Sequence, residues 1–347
     1  MEEFKYTDLV IPDFDRMVDE MFENIRNDQD LTTEQMQEVV SASSAFDLID
    51  KTLPDYIINQ HDKSYLDGWL GIFTRNQQTI VNEHPEMFLY FNLFIHTTHN
   101  LFDNLKRKMN KTTVGLPDIV RMTLLGTLCR MADEVTVLLS NGSTRTALAV
   151  YRALYEHAVI GIFLMQKDEE LLYRKFADYG HKDIRKKADA LDKHAEKLKF
   201  SPLESERRQE IDLRTEELKK LYGNGFFEEY GWANGHVTEK RATFWAVEKD
   251  AGMERYRPFY IWASQFTHPS FQALSDIEND SGQMDLDKIT RQEIGKSAFV
   301  DPMQLTANAL YIYIDHLLLH YSVSHQYTIN TLSFRKTLER LMKSFDD

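Results

Sequence analysis

Apolar residues recur at i, i+3 and i+4 along most of this chain, the spacing of one helical face, and the alternation expected of a strand is needed nowhere. The pattern predicts helices over about 12–28, 33–52, 63–82, 85–109, 118–140, 143–166, 168–199, 203–222, 238–250, 255–275 and 302–327. The expected fold class is all-α, a multi-helix bundle with an N-terminal helical extension. Lys111-Thr-Thr-Val-Gly-Leu-Pro117 is the clearest seam, because Gly and Pro end one helix and Asp118 can cap the next. This divides the chain into an N-terminal helical region (1–115), a bundle (116–330) and a C-terminal tail helix (331–347). Asn141-Gly142 supplies a left-handed turn with Ser143 or Thr144 to cap the next helix, which makes 118–166 an antiparallel helical hairpin. Cys129, Ala132, Asp133 and Thr136 on its first arm are then expected to face the second, with Asp133 or Glu134 pairing to an arginine there. Tyr222-Gly-Asn-Gly225 and Tyr230-Gly-Trp-Ala-Asn-Gly235 interrupt the pattern again.

The second arm carries the most informative departure from apolar patterning. Arg145, Arg152 and Glu156 lie in a segment that otherwise reads as core, and spacings of seven and four put them on one face. Ionised side chains are seldom buried without partners or a purpose. A guanidinium fork suits phosphate or carboxylate, a carboxylate can orient it, and the adjacent His157 can exchange protons near neutral pH. The same residues also fit a simple i, i+4 pair satisfying a polar spot in a bundle. A second constellation is Tyr256-Arg-Pro-Phe-Tyr260-Ile-Trp-Ala-Ser264-Gln-Phe-Thr-His268-Pro-Ser270. Ser264 lies one turn before His268, and the proline after His268 ends or kinks the helix, which aims the imidazole into a cleft. Ser270 adds a hydroxyl, and Tyr260 and Trp232 are expected at the substrate side.

Composition narrows the classes. At 347 residues and 42% hydrophobic the chain can bury a sizeable core. Its one cysteine, Cys129, excludes a disulfide framework and points to a reducing compartment. With an acidic N-terminus and no apolar run approaching about 20 residues, a cytoplasmic protein without membrane contact is expected. The net charge of −14 is uneven: residues 1–60 carry −11 and the remainder only −3. Residues 174–199 are locally basic, with nine Lys and Arg against five acids, either a phosphate-attracting ridge or a solvated helix face. His96 with His99, and His316 with His320 and then His325, lack the third ligand and the carboxylate register of a metal site, so no metal is expected. There is no glycine-rich phosphate loop or dinucleotide fingerprint, so no nucleotide cofactor is expected either.

Arg152-Ala-Leu-Tyr-Glu156 followed about a hundred residues later by Ser264-Gln-Phe-Thr-His268-Pro-Ser270, with Trp232, Tyr256 and Tyr260 between, resembles a family of bacterial helical proteins known mainly as a domain of unknown function. The resemblance covers roughly residues 118–325. It implies a bundle in which Arg152, Glu156, Ser264 and His268 converge, and it supplies no activity. Arg152-Ala-Leu-Tyr-Glu-His157 also resembles, more weakly, the Arg-to-His signature of the HEPN ribonucleases of toxin and anti-phage systems, although Ala153 stands where that family commonly has a polar residue. That likeness implies a metal-independent ribonuclease or toxin-type effector acting on RNA and sharing its site across a homodimer. His268, or less favourably His157, would move protons while Arg152 and Arg145 stabilise the charged phosphorus centre. The rival expectation is a non-catalytic ligand-sensing or scaffold protein that holds a small anionic ligand at the same polar site.

Overall fold

A computed structural model describes residues 63–110, 113–267, 296–321 and 324–345, with residues 23 and 32 in isolation. Among the described residues every regular element is helical, as the apolar spacing predicts. The expected helices at 12–28 and 33–52 lie outside the described residues. The chain divides into two units, residues 1–82 with 277–292, and residues 83–276 with 293–347. Of the first unit the described element is α1 (Lys63–Glu83).

The second unit is built on α2 (Pro85–Met109), α3 (Leu116–Ser140), α4 (Thr144–Lys167), α10 (Lys296–Tyr321) and α11 (Ser324–Lys343). α3 and α4 form the predicted antiparallel hairpin. Gly142 turns the chain with φ 71, and Ser143 N–H reaches back to Leu138 O at 2.8 Å. Ser143 stands at the N-cap of α4, where its carbonyl takes the Ala147 N–H (2.9 Å) and its side chain makes no capping bond. α10 packs along both arms, and α2 with α11 closes the other side. Leu125, Leu128, Leu154, Ala158, Ile162, Leu310 and Leu317 are buried between these helices. α4 is long and apolar enough to cross a membrane by length and composition, but most of its apolar stretch is buried inside this bundle, as expected of a core helix.

The predicted helix at 168–199 is two helices. Asp168 ends α4 in left-handed backbone (φ 47), α5 runs Glu170–Tyr179, and Gly180 joins it to α6 (His181–Leu198). α6 packs on α7 (Ser205–Tyr222). Four of the nine basic residues here are paired with acids or oxygens, Arg174 with Glu170, Arg185 with Asp189, Lys182 with Glu228 O and Lys175 with Asn234 O, while Lys186, Lys187, Lys193, Lys197 and Lys199 are exposed. The expected helix over 238–250 starts only at α8 (Phe244–Asp250), because residues before it are committed elsewhere. Thr238 donates from its backbone and its hydroxyl to Asp250 (2.8 and 2.6 Å), and Ala242 N–H donates to Asn234 Oδ1 (3.1 Å). α9 (Arg257–Ser264) then crosses α4.

Candidate functional site

α4 carries the charged stripe because its other faces are spent on the core. Tyr151, Leu154, Tyr155 and Ala158 point inward, which leaves Arg152 and Glu156 one turn apart at the edge facing α9. They form an ion pair, Arg152 Nη2 to Glu156 Oε1 at 3.0 Å, with side chains 23% and 29% exposed. The Tyr260 hydroxyl sits between them. It accepts from Arg152 Nη2 (3.1 Å) and donates to Glu156 Oε1 (2.7 Å). Arg152 Nη1 donates to Thr267 Oγ1 (3.3 Å), 115 residues away in sequence, and Thr267 in turn donates to Ser264 O (2.8 Å). Arg152 Nε is buried and has no hydrogen-bond partner. A charged donor left unpaired inside a site is costly, so the guanidinium is not fully satisfied by the protein alone.

Aromatic rings frame this polar centre. The Arg152 guanidinium lies 5.2 Å from the Tyr260 ring centroid, and that of Arg257 lies 5.9 Å from the same ring. Phe244 packs on Tyr260 at 4.8 Å and Tyr155 at 5.7 Å, while Tyr230, itself in left-handed backbone, packs on Phe244 at 6.0 Å. Beneath the rings Glu248 is fully buried and accepts from Tyr155 (2.9 Å) and Arg257 (2.5 Å). Burial first, and then the carboxylate it donates to, holds the Tyr260 phenol above its ordinary pKa; Arg152 opposes this only in part. Tyr260 is therefore a neutral hydrogen-bond donor at physiological pH. Burial with the nearby Glu156 charge raises Tyr230 in the same direction.

The two sequence elements thus meet through Arg152, Glu156, Tyr260 and Thr267. Ser264 stands at the end of α9, but its hydroxyl donates to Tyr260 O (2.7 Å), a bond to its own helix. His268 and Ser270 lie outside the described residues; His268 directly follows Thr267. Arg145 is half-buried two turns before Arg152 on α4. His157 points its Nδ1 at Ala153 O (2.7 Å), so that nitrogen is occupied by its own helix. Trp232 is 1% exposed and lies edge-on to Phe163 and Phe176, which makes it a core plug rather than a substrate-facing ring. Asp133 is taken by His99 on α2 (3.0 Å) and Glu134 lies 3.8 Å from Arg130, rather than both being drawn to the α4 stripe. His316 bonds to Ile312 O and Gln166. Among the described residues no group of three His, Cys, Asp or Glu is placed to hold a metal ion.

Apolar spacing and motif patterns do not single out Thr267, Arg257, Glu248, Tyr155, Tyr230 or Phe244. Thr267 and Arg257 lie within a stretch that stands out for its histidine and serine instead. Glu248 gives only a weak signal, one acid among the apolar positions of a short helix.

The decisive juxtaposition is the Arg-X-X-X-Glu turn of α4 against the segment that leads into Ser-X-X-X-His. Residues 118–284 match DUF5677, a family of unknown function. The DUF5677 match begins at Asp118 and takes in α3 to α9, hence every residue of the Arg152 centre, and leaves α2, α10 and α11 outside it. No curated protein and no solved structure matches the chain, and the likeness to HEPN ribonucleases has no match behind it.

Proposed function

We propose that the Arg152 centre binds an RNA phosphodiester and cleaves it without a metal ion, in the manner of a toxin-type or anti-phage effector. The observation that carries this reading is the Arg152 guanidinium, held at one edge by Glu156, Tyr260 and Thr267 while its Nε stays buried and unpartnered. RNA transesterification needs a base for the 2'-hydroxyl, an acid for the departing 5'-oxygen and fixed positive charge at phosphorus. Glu156 takes the 2'-proton as that oxygen attacks phosphorus. The bond to the 5'-oxygen breaks, and His268, next in sequence to Thr267, supplies the proton to it. Arg152 stabilises the developing charge while Tyr260 holds Glu156 in place through the hydrogen bond it donates, and the products are a 2',3'-cyclic phosphate and a free 5'-hydroxyl. A cytoplasmic location and a homodimer belong to this reading.

The test is cleavage of total cellular RNA by purified protein in EDTA, comparing wild type with Arg152→Ala, Glu156→Gln and His268→Ala at matched thermal melts. Wild-type cleavage that drops about a hundredfold or more in each variant supports the reading. The rival, a non-catalytic receptor for a small anion, is favoured by the way Arg152, Glu156 and Tyr260 already satisfy one another as a preformed cluster. Cleavage by none of the proteins, together with saturable nucleotide binding that Arg152→Ala abolishes, would decide for it.

A further inference from the structure

A second polar cluster forms at the far end of α4 and shares no residue with the Arg152 centre. The left-handed backbone at Asp168 starts α5 in a new direction and brings Glu169 beside the loop after the Gly231–Ala233 turn. Glu169 Oε2 lies 3.2 Å from His236 Nδ1. His236 Nε2 lies 3.4 Å from Lys175 Nζ, which also donates to Asn234 O at 3.3 Å. The imidazole is 12% exposed, the carboxylate 53%, and Lys175 is half-buried.

This order of groups has chemical content. A carboxylate at Nδ1 fixes the neutral imidazole with its proton on that nitrogen, so Nε2 turns a lone pair toward Lys175. Nucleophile, proton acceptor and orienting carboxylate then stand in sequence, the arrangement that activates a weak nucleophile. Burial lowers the proton affinity of the Lys175 ammonium, with Glu169 opposing. Burial and then the Lys175 charge lower that of His236, Glu169 opposes, and Lys167 adds a smaller downward effect. Lys167 is itself held 3.6 Å from Asp250. A half-desolvated lysine is more easily present as the neutral, nucleophilic amine.

We propose that Glu169, His236 and Lys175 form a covalent site for a small aldehyde, with Lys175 as the imine-forming amine. The neutral amine nitrogen attacks the carbonyl carbon, and a C–N bond forms as the C–O double bond opens. The nitrogen gives up two protons in all. His236 Nε2 relays them to the carbonyl oxygen, which leaves as water when the C–N double bond closes. One water is released per imine, and no oxidant or reductant is consumed.

Reductive alkylation of the full-length protein with limiting propanal and cyanoborohydride, read lysine by lysine by peptide mass spectrometry, tests this. Lys175 is expected to react about tenfold faster than the exposed Lys186 and Lys193, and His236→Gln or Glu169→Gln to bring it down to their rate. A Lys175 rate within about twofold of the exposed lysines would identify it as a loop anchor for Asn234 and overturn the proposal, as would a fast rate that both variants leave unchanged. Because His236 is nearly buried, its variant is paired with a thermal melt. Glu169→Gln changes a half-exposed side chain and carries the comparison should His236→Gln fail to fold.

Discussion

Two arginines of this chain look alike in composition and differ in what surrounds them. Arg121 is 7% exposed and donates to Tyr173 (3.0 Å), Asp118 (3.1 Å) and Asp168, so one guanidinium ties α3, the end of α4 and α5 together. Tyr321 of α10 donates to the same Asp118 (2.7 Å), and Tyr313 donates to Arg121 O (2.7 Å). Every donor of this clamp that is named has an acceptor, which is the signature of a structural element. Arg152 is less buried and keeps an unpartnered Nε. Arg121→Met is therefore expected to cost about 2–3 kcal/mol in a urea melt, because a buried phenol and two carboxylates lose their partner while the carboxylates keep access to water. Arg152→Met is expected to cost about 1 kcal/mol or less, since its pair is partly solvated, and to remove ligand binding or turnover instead. Equal losses of stability in the two variants would make Arg152 a second clamp and remove the argument for a site.

At the scale of elements, α4 decides both the fold and the site, and its tightest contact is at Gly161. A methyl group built there would lie 2.3 Å from a Tyr313 ring carbon and 3.2 Å from Leu124, so α4, α10 and α3 approach closely only because this residue has no side chain. Gly161→Ala is expected to destabilise by about 1–3 kcal/mol through overpacking, despite alanine's better helix propensity; a melt showing a gain would mean the Tyr313 ring can swing aside. Such close approach is invisible in the sequence, where Gly161 is one small residue among apolar ones. The helices themselves are legible there, because α2, α3, α4 and α7 each keep one apolar face with Gly or Pro near an end. The late start of α8 is not, because tertiary hydrogen bonds to Asp250 and Asn234 hold residues 238–242 away from a helical path. The same division applies to the candidate site. The Arg152–Glu156 pair follows from a spacing of four, whereas Tyr260 and Thr267 join it only through the crossing of α9 over α4, and Trp232 is core because α4 and α5 bring Phe163 and Phe176 onto it.

At the scale of the whole bundle, the buried ionisable groups set an alkaline limit on stability. Burial is the leading cause that raises Tyr151, Tyr155, Tyr173, Tyr230, Tyr313 and Tyr321 above the ordinary phenol value, and it pushes the Cys129 thiol from 9.0 up to about 12. Each of these groups keeps its proton longer in the folded chain than in the unfolded one. Their stabilising effect is therefore complete below the unfolded pKa, about 9 for the thiol and about 10 for the phenols, and is lost as pH rises through the folded values. Urea melts are expected to show no loss from these groups up to about pH 8.5, followed by a steepening decline above pH 10. In an alkaline titration followed by phenolate absorbance, the raised phenols should lag behind the ordinary phenol value of about 10. The buried ones should appear only in a slower phase that coincides with loss of helical circular dichroism. Cys129, 2% exposed, should resist iodoacetamide until that same phase. Tyr313→Phe removes one of the most strongly raised phenols and its bond to Arg121 O, so it should cost about 1 kcal/mol at neutral pH and make the alkaline decline shallower. Ionisation of all sixteen tyrosines in one fast step with the helices intact would show that water reaches the bundle interior without unfolding, and that the helices around α4 are more loosely packed than their buried phenols require.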